Sequence, residues 1–272
     1  AGNRKVRLAE NGTALADIVV AADADKAARF GAADLAWHLK EITGAEFRII
    51  TDAEPKMRFE ICVGPSRRAK HTAEGLDEQE CRIDIRADGI DLIGRDKPDK
   101  TSFVYTNDVN GVLGRDWPDM WDAQGSMYAV YEFLENIVGV KWLDPTDYGI
   151  LLPREPSLAV PIGTRRQQPF IFARGGTWSG GSYHVIMWKG QDENAKRYHA
   201  LGYGGRDARR IHNQQRLFLA RHRAGGLKRS ANHSFYHFYD YYWKKDSKQF
   251  REFRPDFFSV GTSDAALPAQ LC

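Results

Sequence analysis

Apolar and polar positions near the start of the chain follow two different spacings. Between Asp25 and Gly44 the apolar residues recur at every third or fourth position, with Ala28, Leu35 and Leu39 on one face. This spacing predicts an amphipathic helix that begins after a capping aspartate and ends at a left-handed glycine. Shorter apolar runs on either side of it predict strands. These runs are residues 5–8, 17–20, 47–51, 59–63, 81–86 and 90–93.

A second apolar stripe predicts a second helix. Ser126 is placed to cap it, Val130 and Phe133 lie on its apolar face, and Gly139 ends it. The order of strand, helix, strand and then a hairpin turn at residues 88–89 predicts a mixed sheet with helices packed on it. We therefore expect an α/β fold that starts with a mixed-sheet α/β sandwich, an N-terminal accessory domain over residues 1–162.

Proline interrupts the pattern between residues 152 and 169. The four prolines of this stretch break regular structure and indicate a connection between domains. Beyond it we predict a buried strand at 170–173, a helix at Arg206–Arg221 and a strand at 234–239, an alternation that is typical of a TIM-type (β/α) barrel. Residues 163–272 are too few for a whole barrel, so only its first strands and helices are expected.

Composition and charge argue against two classes of partner. Lys and Arg number 39 and Asp and Glu 36, so the net charge of +3 gives no field of the kind that gathers nucleic acid. The apolar runs are shorter than the ~20 residues that a membrane span needs. A basic run over residues 206–229 leaves nucleic-acid or acidic-glycan binding open, but its charges spread around a helix, which favours a solvated surface. We expect neither nucleic acid nor a membrane as partner.

The sequence predicts no metal and no cofactor. The three cysteines lack the C-x-x-C spacing of zinc and redox sites. Cys62 and Cys81 either form a disulfide or remain buried free thiols, and the thiols are favoured. His233 and His237 have no acidic or cysteine partner to complete a zinc site. The glycines of residues 202–205 lack the preceding strand and the Gly-Lys-Ser/Thr ending of a phosphate loop.

Several stretches resemble bacterial glycoside hydrolases. Residues 30–45 (FGAADLAWHLKEITGA) and 61–66 (ICVGPS) are similar to the N-terminal domain shared by α-glucuronidases and β-hexosaminidases. Residues 125–135 and 140–145 match the last helix and strand of that domain. Residues 250–260 (FREFRPDFFSV) resemble a signature of bacterial enzymes formerly known only as a domain of unknown function, some of which are endo-β-N-acetylglucosaminidases.

The resemblance implies a glycoside hydrolase that cleaves O-glycosidic bonds in complex glycans or polysaccharides, with carbohydrate as its partner. Cleavage normally needs two positioned carboxyl groups. In the family these come from later barrel strands, so the catalytic residues are unknown here and are expected beyond the end of a truncated chain. A secreted or periplasmic location is implied, although residues 1–5 hold no signal-peptide stretch. The alternative is a non-catalytic carbohydrate-binding protein of the same fold.

Four residues are candidates for binding the sugar. Arg174 follows the first predicted barrel strand, so it should face the mouth where barrel active sites form. Its planar fork of donors suits a vicinal diol or a carboxylate, and the competing interpretation is an inter-domain ion pair. Trp178, in a glycine-rich loop, is predicted either to stack on a sugar or to tuck its indole into the protein. Arg223 and His233 are expected at the same mouth, with a core histidine as the alternative for His233.

Overall fold

A computed structural model of the chain describes residues 4–56, 58–107, 115–171, 173–174 and 206–226. All of them lie in the first of two compact units, Ala1–Leu227. The helices described are α1 (Lys26–Thr43), α2 (Gly125–Phe133) and α3 (Arg206–Arg221), with a π-helical turn at Leu134–Val138 and a 3-10 turn at Asp147–Gly149. The strands are β1 (Lys5–Arg7), β2 (Ala9–Glu10), β3 (Thr13–Ala14), β4 (Ala16–Val20), β5 (Ile49–Thr51), β6 (Phe59–Val63), β7 (Cys81–Ile85), β8 (Ile90–Gly94), β9 (Lys141–Trp142), β10 (Ile150–Leu151), β11 (Ala159–Pro161), β12 (Gly163–Gln167), β13 (Ala173–Arg174) and β14 (Gly225–Gly226).

A mixed sheet of six strands, in the order β12-β7-β8-β6-β4-β5, forms the centre of this unit. The strands β5, β4, β6 and β8 are parallel, whereas β7 is antiparallel to β8 and β12 is antiparallel to β7. The predicted mixed α/β sheet is therefore confirmed. Shorter antiparallel pairs surround it: β1 with β11, β2 with β3, and β9 with β10.

The main core lies between the sheet and the two helices α1 and α2, which also pack on each other. Because side chains alternate between the two faces of a strand, Ile18, Ile61 and Leu92 face this core and are fully buried. Their neighbours Asp17 and Asp91 face the opposite side, where they are buried in ion pairs. The two faces of the sheet thus differ sharply in polarity.

The predicted bounds of α1 are confirmed, but the predicted cap is wrong, because the Asp25 side chain makes no capping hydrogen bond to the helix. The helix ends at Gly44, which has the left-handed φ of 73° and donates its amide hydrogen to the carbonyl of Lys40 at 2.7 Å. The predicted cap of α2 is wrong, because Ser126 lies inside the first turn of the helix. Its amide is capped from outside the helix by the Asp96 carboxylate, 2.9 Å away.

The prediction that residues 152–169 lack regular structure is also wrong. Two strands, β11 and β12, lie in this stretch, and β12 pairs with β7 along five residues, from Gly163 opposite Ile85 to Gln167 opposite Cys81. Of the four prolines, only Pro161 lies in a strand, as the last residue of β11, where the loss of an amide donor is tolerated. The six-stranded sheet therefore extends past the predicted division at residue 162.

Beyond residue 169 the described part of the chain consists of β13, α3 and β14. Phe170 and Ile171 are 96% and 61% exposed and precede β13, so the predicted buried strand at 170–173 is wrong for these two residues. The strands β13 and β14 are antiparallel, whereas neighbouring barrel strands are parallel. The barrel stays a prediction, since most of the residues that would build it, 234–239 among them, lie outside the described residues.

Candidate functional site

Two of the four predicted sugar-binding residues, Arg174 and Arg223, meet where β13 pairs with β14. The Nε group of Arg174 donates to the carbonyl oxygen of Arg223 at 2.7 Å. Its Nη1 group donates to Gln79 Oε1 and to the carbonyl oxygen of Ile171, both at 2.6 Å. These three acceptors are uncharged, so the bonds of Arg174 are not those of the ion pair considered as the alternative.

The Arg174 guanidinium keeps unused hydrogen-bonding capacity. Its carbon Cζ lies 5.6 Å from the centre of the Tyr128 ring. The Nη2 atom of Arg174 and the hydroxyl of Tyr128 are both enclosed, and neither makes a hydrogen bond of normal geometry, although they are close enough to influence each other. Burial raises the pKa of Tyr128, so its hydroxyl stays protonated and can donate. The two side chains form a sheltered polar pair. A ligand oxygen placed beside them would accept hydrogen bonds from both.

Arg223 is held in place by one acidic residue of α2 and one of the π-helical turn that follows it. Its Nη2 atom lies 2.5 Å from Glu135 Oε2 and 3.8 Å from Glu132 Oε2. The residue has a left-handed φ of 55°, which lets the chain turn sharply between α3 and β14. Arg223 therefore reaches the Arg174 site through its backbone, while its side chain is paired with carboxylates. Trp178 and His233 lie outside the described residues, so their predicted roles stay predictions.

A buried polar cluster between α1 and α3 was not predicted from the sequence. Asp34 and His38 of α1 are fully buried, and Arg221 of α3 is 3% exposed. Arg221 binds Asp34 through Nε at 3.2 Å and through Nη2 at 2.9 Å. The hydroxyl of Tyr105 donates to Asp34 Oδ1 at 2.7 Å. Burial opposes the ionisation of Asp34, but the guanidinium outweighs it and holds the pKa of this carboxyl below its usual value.

His38 in this cluster is neutral. The indole of Trp142, which can only donate, bonds to His38 Nε2 at 3.1 Å. The proton of the ring must then sit on Nδ1, which donates to the carbonyl oxygen of Asp34 at 2.7 Å. Burial lowers the pKa of His38, in agreement with this neutral form. A polar residue among the apolar positions of a helix, as in A-D-L-A-W-H-L, was the only sequence signal for the cluster.

Among the described residues, one arrangement on the polar face of the sheet has the spacing of a cation site. Ligand atoms of His71, Asp84 and Asp91 all lie within 4.8 Å of one another. The Arg86 guanidinium already bonds both carboxylates, with Nη1 2.6 Å from Asp84 Oδ2 and 3.1 Å from Asp91 Oδ2. A positive charge therefore occupies the place between the two carboxylates, and we interpret the cluster as a structural ion-pair network.

Cys62 and Cys81 are buried free thiols, which confirms the favoured prediction. Cys62 packs with Val19 and Ile50 on one face of the sheet, whereas Cys81 belongs to the main core on the other face. A disulfide cannot form across the sheet between them. Burial raises the pKa of each thiol to about 12, so both are poor nucleophiles.

Comparison with known proteins gives no match among protein-family models or curated proteins. The solved structures that match include BtGH115A, a family GH115 4-O-methyl-α-glucuronidase with specificity for decorated arabinogalactans. The two share 15% sequence identity with a TM-score of 0.44, and the match covers 81% of this chain and 25% of that one. The matching structures also include the Flavobacterium johnsoniae chitobiase FjGH20, at 11% identity and a TM-score of 0.34, covering 68% of this chain and 23% of that one. The chain spans about a quarter of the length of these structures. Similarity at this level does not define an activity.

Among the described residues, every helix falls short of the length and apolar character that crossing a membrane requires.

Proposed function

We propose that this chain is the N-terminal part of a glycoside hydrolase that cleaves O-glycosidic bonds in complex glycans or polysaccharides, β-N-acetylglucosaminide linkages being one candidate. The observation that carries the proposal is the Arg174 site, in which Nη2 of an anchored guanidinium and the Tyr128 hydroxyl lie beside each other and neither makes a hydrogen bond of normal geometry. The resemblance of residues 30–45 and 125–145 to the accessory domain of such enzymes supports the same function.

The proposed role of Arg174 is to bind one sugar of the substrate. Three protein acceptors hold its guanidinium in one orientation, so little side-chain entropy is lost when a ligand binds. Nη2 and the Tyr128 hydroxyl can then donate to neighbouring hydroxyl oxygens or to one carboxylate of the sugar. Trp178 and His233 are proposed to line the same site, and Arg223 to support it through its carbonyl oxygen.

No acid or base for cleavage is proposed among the described residues near Arg174. Glu135 pairs with Arg223, and Glu132 pairs with Arg165 at 2.8 Å. Both carboxylates are therefore engaged by arginine side chains. This observation favours the second candidate, a carbohydrate-binding protein without catalysis, unless the two carboxyl groups come from elsewhere in the protein.

The proposal also includes the division into domains and the location. We place the end of the accessory domain after Gln167 instead of at residue 162, because β12 completes the sheet. The remainder, up to residue 272, is proposed to open a (β/α) barrel. A secreted or periplasmic location belongs to the proposal as well, since complex glycans and polysaccharides are largely extracellular.

The test measures sugar binding in two variants. Arg174→Ala should weaken binding of a chito-oligosaccharide or a glucuronic-acid-bearing oligosaccharide by ~10-fold or more, which corresponds to ~1.4 kcal/mol. Because this change also removes three hydrogen bonds to the protein, Tyr128→Phe is the cleaner variant. It deletes a hydroxyl that makes no hydrogen bond of normal geometry, so affinity should fall while the melting temperature (Tm) changes little.

Tyr148→Phe is the control, since it removes a hydroxyl from a side chain that is 95% exposed and belongs neither to the Arg174 site nor to the Asp34 cluster. Unchanged affinity for both sugars in Arg174→Ala and Tyr128→Phe would contradict the proposed site. Hydrolysis of a bound sugar by the whole protein supports the enzyme, and binding without turnover supports the second candidate.

A further inference from the structure

The Asp34 carboxylate depends for its charge balance on a residue far away in the sequence. Asp34 and Arg221 are separated by 187 positions, yet the guanidinium contacts both carboxylate oxygens. The Arg221 guanidinium also packs on an aromatic ring, since its Cζ lies 5.6 Å from the centre of the Trp37 ring. Two enclosed opposite charges with bidentate geometry resist separation, because either one left alone would be buried without compensation.

Apart from Arg221, the described groups that face Asp34 are uncharged. Tyr105 donates a neutral hydroxyl, and Tyr131 is a second protonated phenol near the carboxylate. His38 is kept neutral by the indole of Trp142. Arg221 itself has a further acceptor in Asn107 Oδ1, at 3.3 Å, which is uncharged. Among the described residues around Asp34, the positive charge is therefore that of Arg221.

Arg221 is also the residue at which α3 ends and the turn toward the Arg174 site begins. The amide of Arg223 bonds to the carbonyl of Ala220 at 2.8 Å, which closes the turn. Two residues further, β14 pairs with β13, so that Gly225 stands opposite Arg174. The carbonyl oxygen of Arg223 accepts the Nε–H of Arg174. The backbone of residues 221–223 therefore connects the buried ion pair to the carbonyl group that orients Arg174.

We propose that Asp34 is a positioning residue for the Arg174 site: it fixes the segment 221–226 through Arg221, and that segment fixes the Arg174 guanidinium. This inference rests on the proposed function for its effect on sugar binding, but not for its structural part. Asp34 touches no sugar in this scheme. Its contribution is to keep Nη2 of Arg174 in one direction.

The experiment uses Asp34→Asn in the full chain, with Asp17→Asn as the matched control. Asp17 is also a fully buried carboxylate with a bidentate arginine partner, Arg48, at 3.0 and 2.7 Å, but it lies on the polar face of the sheet. Each variant is measured at the same interval below its own Tm, so that a general loss of stability affects both alike. The readouts are amide hydrogen exchange in 221–226, the Nε–H NMR resonance of Arg174, and affinity for the two sugar probes.

Asp34→Asn should speed exchange in residues 221–226 by ~10-fold or more, broaden the Arg174 Nε–H resonance and weaken sugar binding, whereas Asp17→Asn should do none of these. Equal effects of the two variants would overturn the inference. If Asp34→Asn does not fold, the double variant Asp34→Asn with Arg221→Met leaves no buried charge unpaired and should fold. Full protection of 221–226 and wild-type affinity in that double variant would also overturn it.

The two proposals fail in different ways. If Arg174→Ala and Tyr128→Phe bind sugar like the wild type, the proposed function falls, and exchange in 221–226 still decides whether Asp34 fixes that segment. If those two variants lose affinity while Asp34→Asn matches Asp17→Asn in every readout, the function stands and the positioning role of Asp34 falls.

Discussion

At the scale of single residues, Gly94 and Gly125 determine how closely the end of β8 approaches the start of α2. A methyl group on Gly94 would lie 2.0 Å from the carbonyl carbon of Gly125, and one on Gly125 would lie 2.5 Å from the amide nitrogen of Arg95. Both contacts are with backbone, which cannot rotate away as a side chain can. The sheet and the helix therefore meet backbone to backbone at this point, and only glycine fits.

We predict that Gly94→Ala destabilises the protein by ~1–3 kcal/mol or more, the usual cost of overpacking a core. The control is Gly163→Ala in β12, where the added methyl group meets nothing within 4 Å and should be neutral. Urea unfolding of the two variants measures the difference. Equal midpoints would show that the backbone at Gly125 moves aside without cost.

At the scale of elements, α2 shows how a helix can take its cap from another part of the chain. The carboxyl group of Asp96 is enclosed, although the residue as a whole is partly exposed, and it accepts the amide hydrogen of Ser126. Burial raises the pKa of Asp96 to about 7, with a smaller contribution from Asp25, and the bond from Ser126 only partly opposes this. A helix N-terminus favours the charged carboxylate. At Asp96 the effect of burial on the pKa is therefore larger than the effect of the helix.

The raised pKa predicts a pH dependence of stability. In the unfolded chain Asp96 loses its proton near pH 3.8, whereas in the folded protein it does so near pH 7. The contribution of Asp96 to the free energy of unfolding is therefore fully present below pH 3.8. It falls by ~1.4 kcal/mol per pH unit as the pH rises from 3.8 to 7. Asp96→Asn stays neutral, so its Tm should approach that of the wild type near pH 4 and exceed it at pH 8.

Asp99→Asn is the opposite control, because Lys26 lowers the pKa of Asp99. Its stabilising contribution is present at neutral pH and is lost in acid, so the deficit of this variant should shrink as pH falls. Parallel pH profiles for wild type and Asp96→Asn would contradict the assignment of the raised pKa to Asp96.

At the scale of the whole molecule, the α/β unit is closed by residues from beyond the predicted domain boundary. The strand β12 adds the edge of the sheet, and its Thr164 and Arg166 bond the buried carboxylates of Asp84 and Glu80. Arg221 supplies the charge that Asp34 needs. The chain up to residue 162 holds the main core but lacks these partners.

We predict that Asp34→Asn has different effects in chains ended at residues 162 and 227. In the longer chain it leaves Arg221 buried without its counter-charge and should cost ~3–5 kcal/mol. In the shorter chain Arg221 is absent, so removal of the Asp34 charge should leave the Tm unchanged or raise it. Thermal unfolding at pH 7 measures both, and an equal loss of Tm in the two chains would show that Arg221 is not the partner that matters.

The sequence by itself determined the elements whose signals are local. The spacing of apolar residues located α1 with its ends, the central strands and the helix that ends at Gly139, because side-chain alternation and glycine conformation act over a few residues. It also marked Arg174 and Arg223 as candidates for one site, and they do meet. Tyr128 and Gln79, which complete their surroundings, carried no signal of their own.

Only the tertiary structure decided which polar residues are buried and with whom. In the sequence Asp34 is one polar position of a helix, and only the fold places Arg221, 187 residues away, beside it. Asp96 caps α2 from a different segment, and β12 joins the sheet within a proline-rich stretch. Each of these depends on groups that the fold brings together from distant parts of the chain, and the free energy of such contacts is not written in any local pattern of residues.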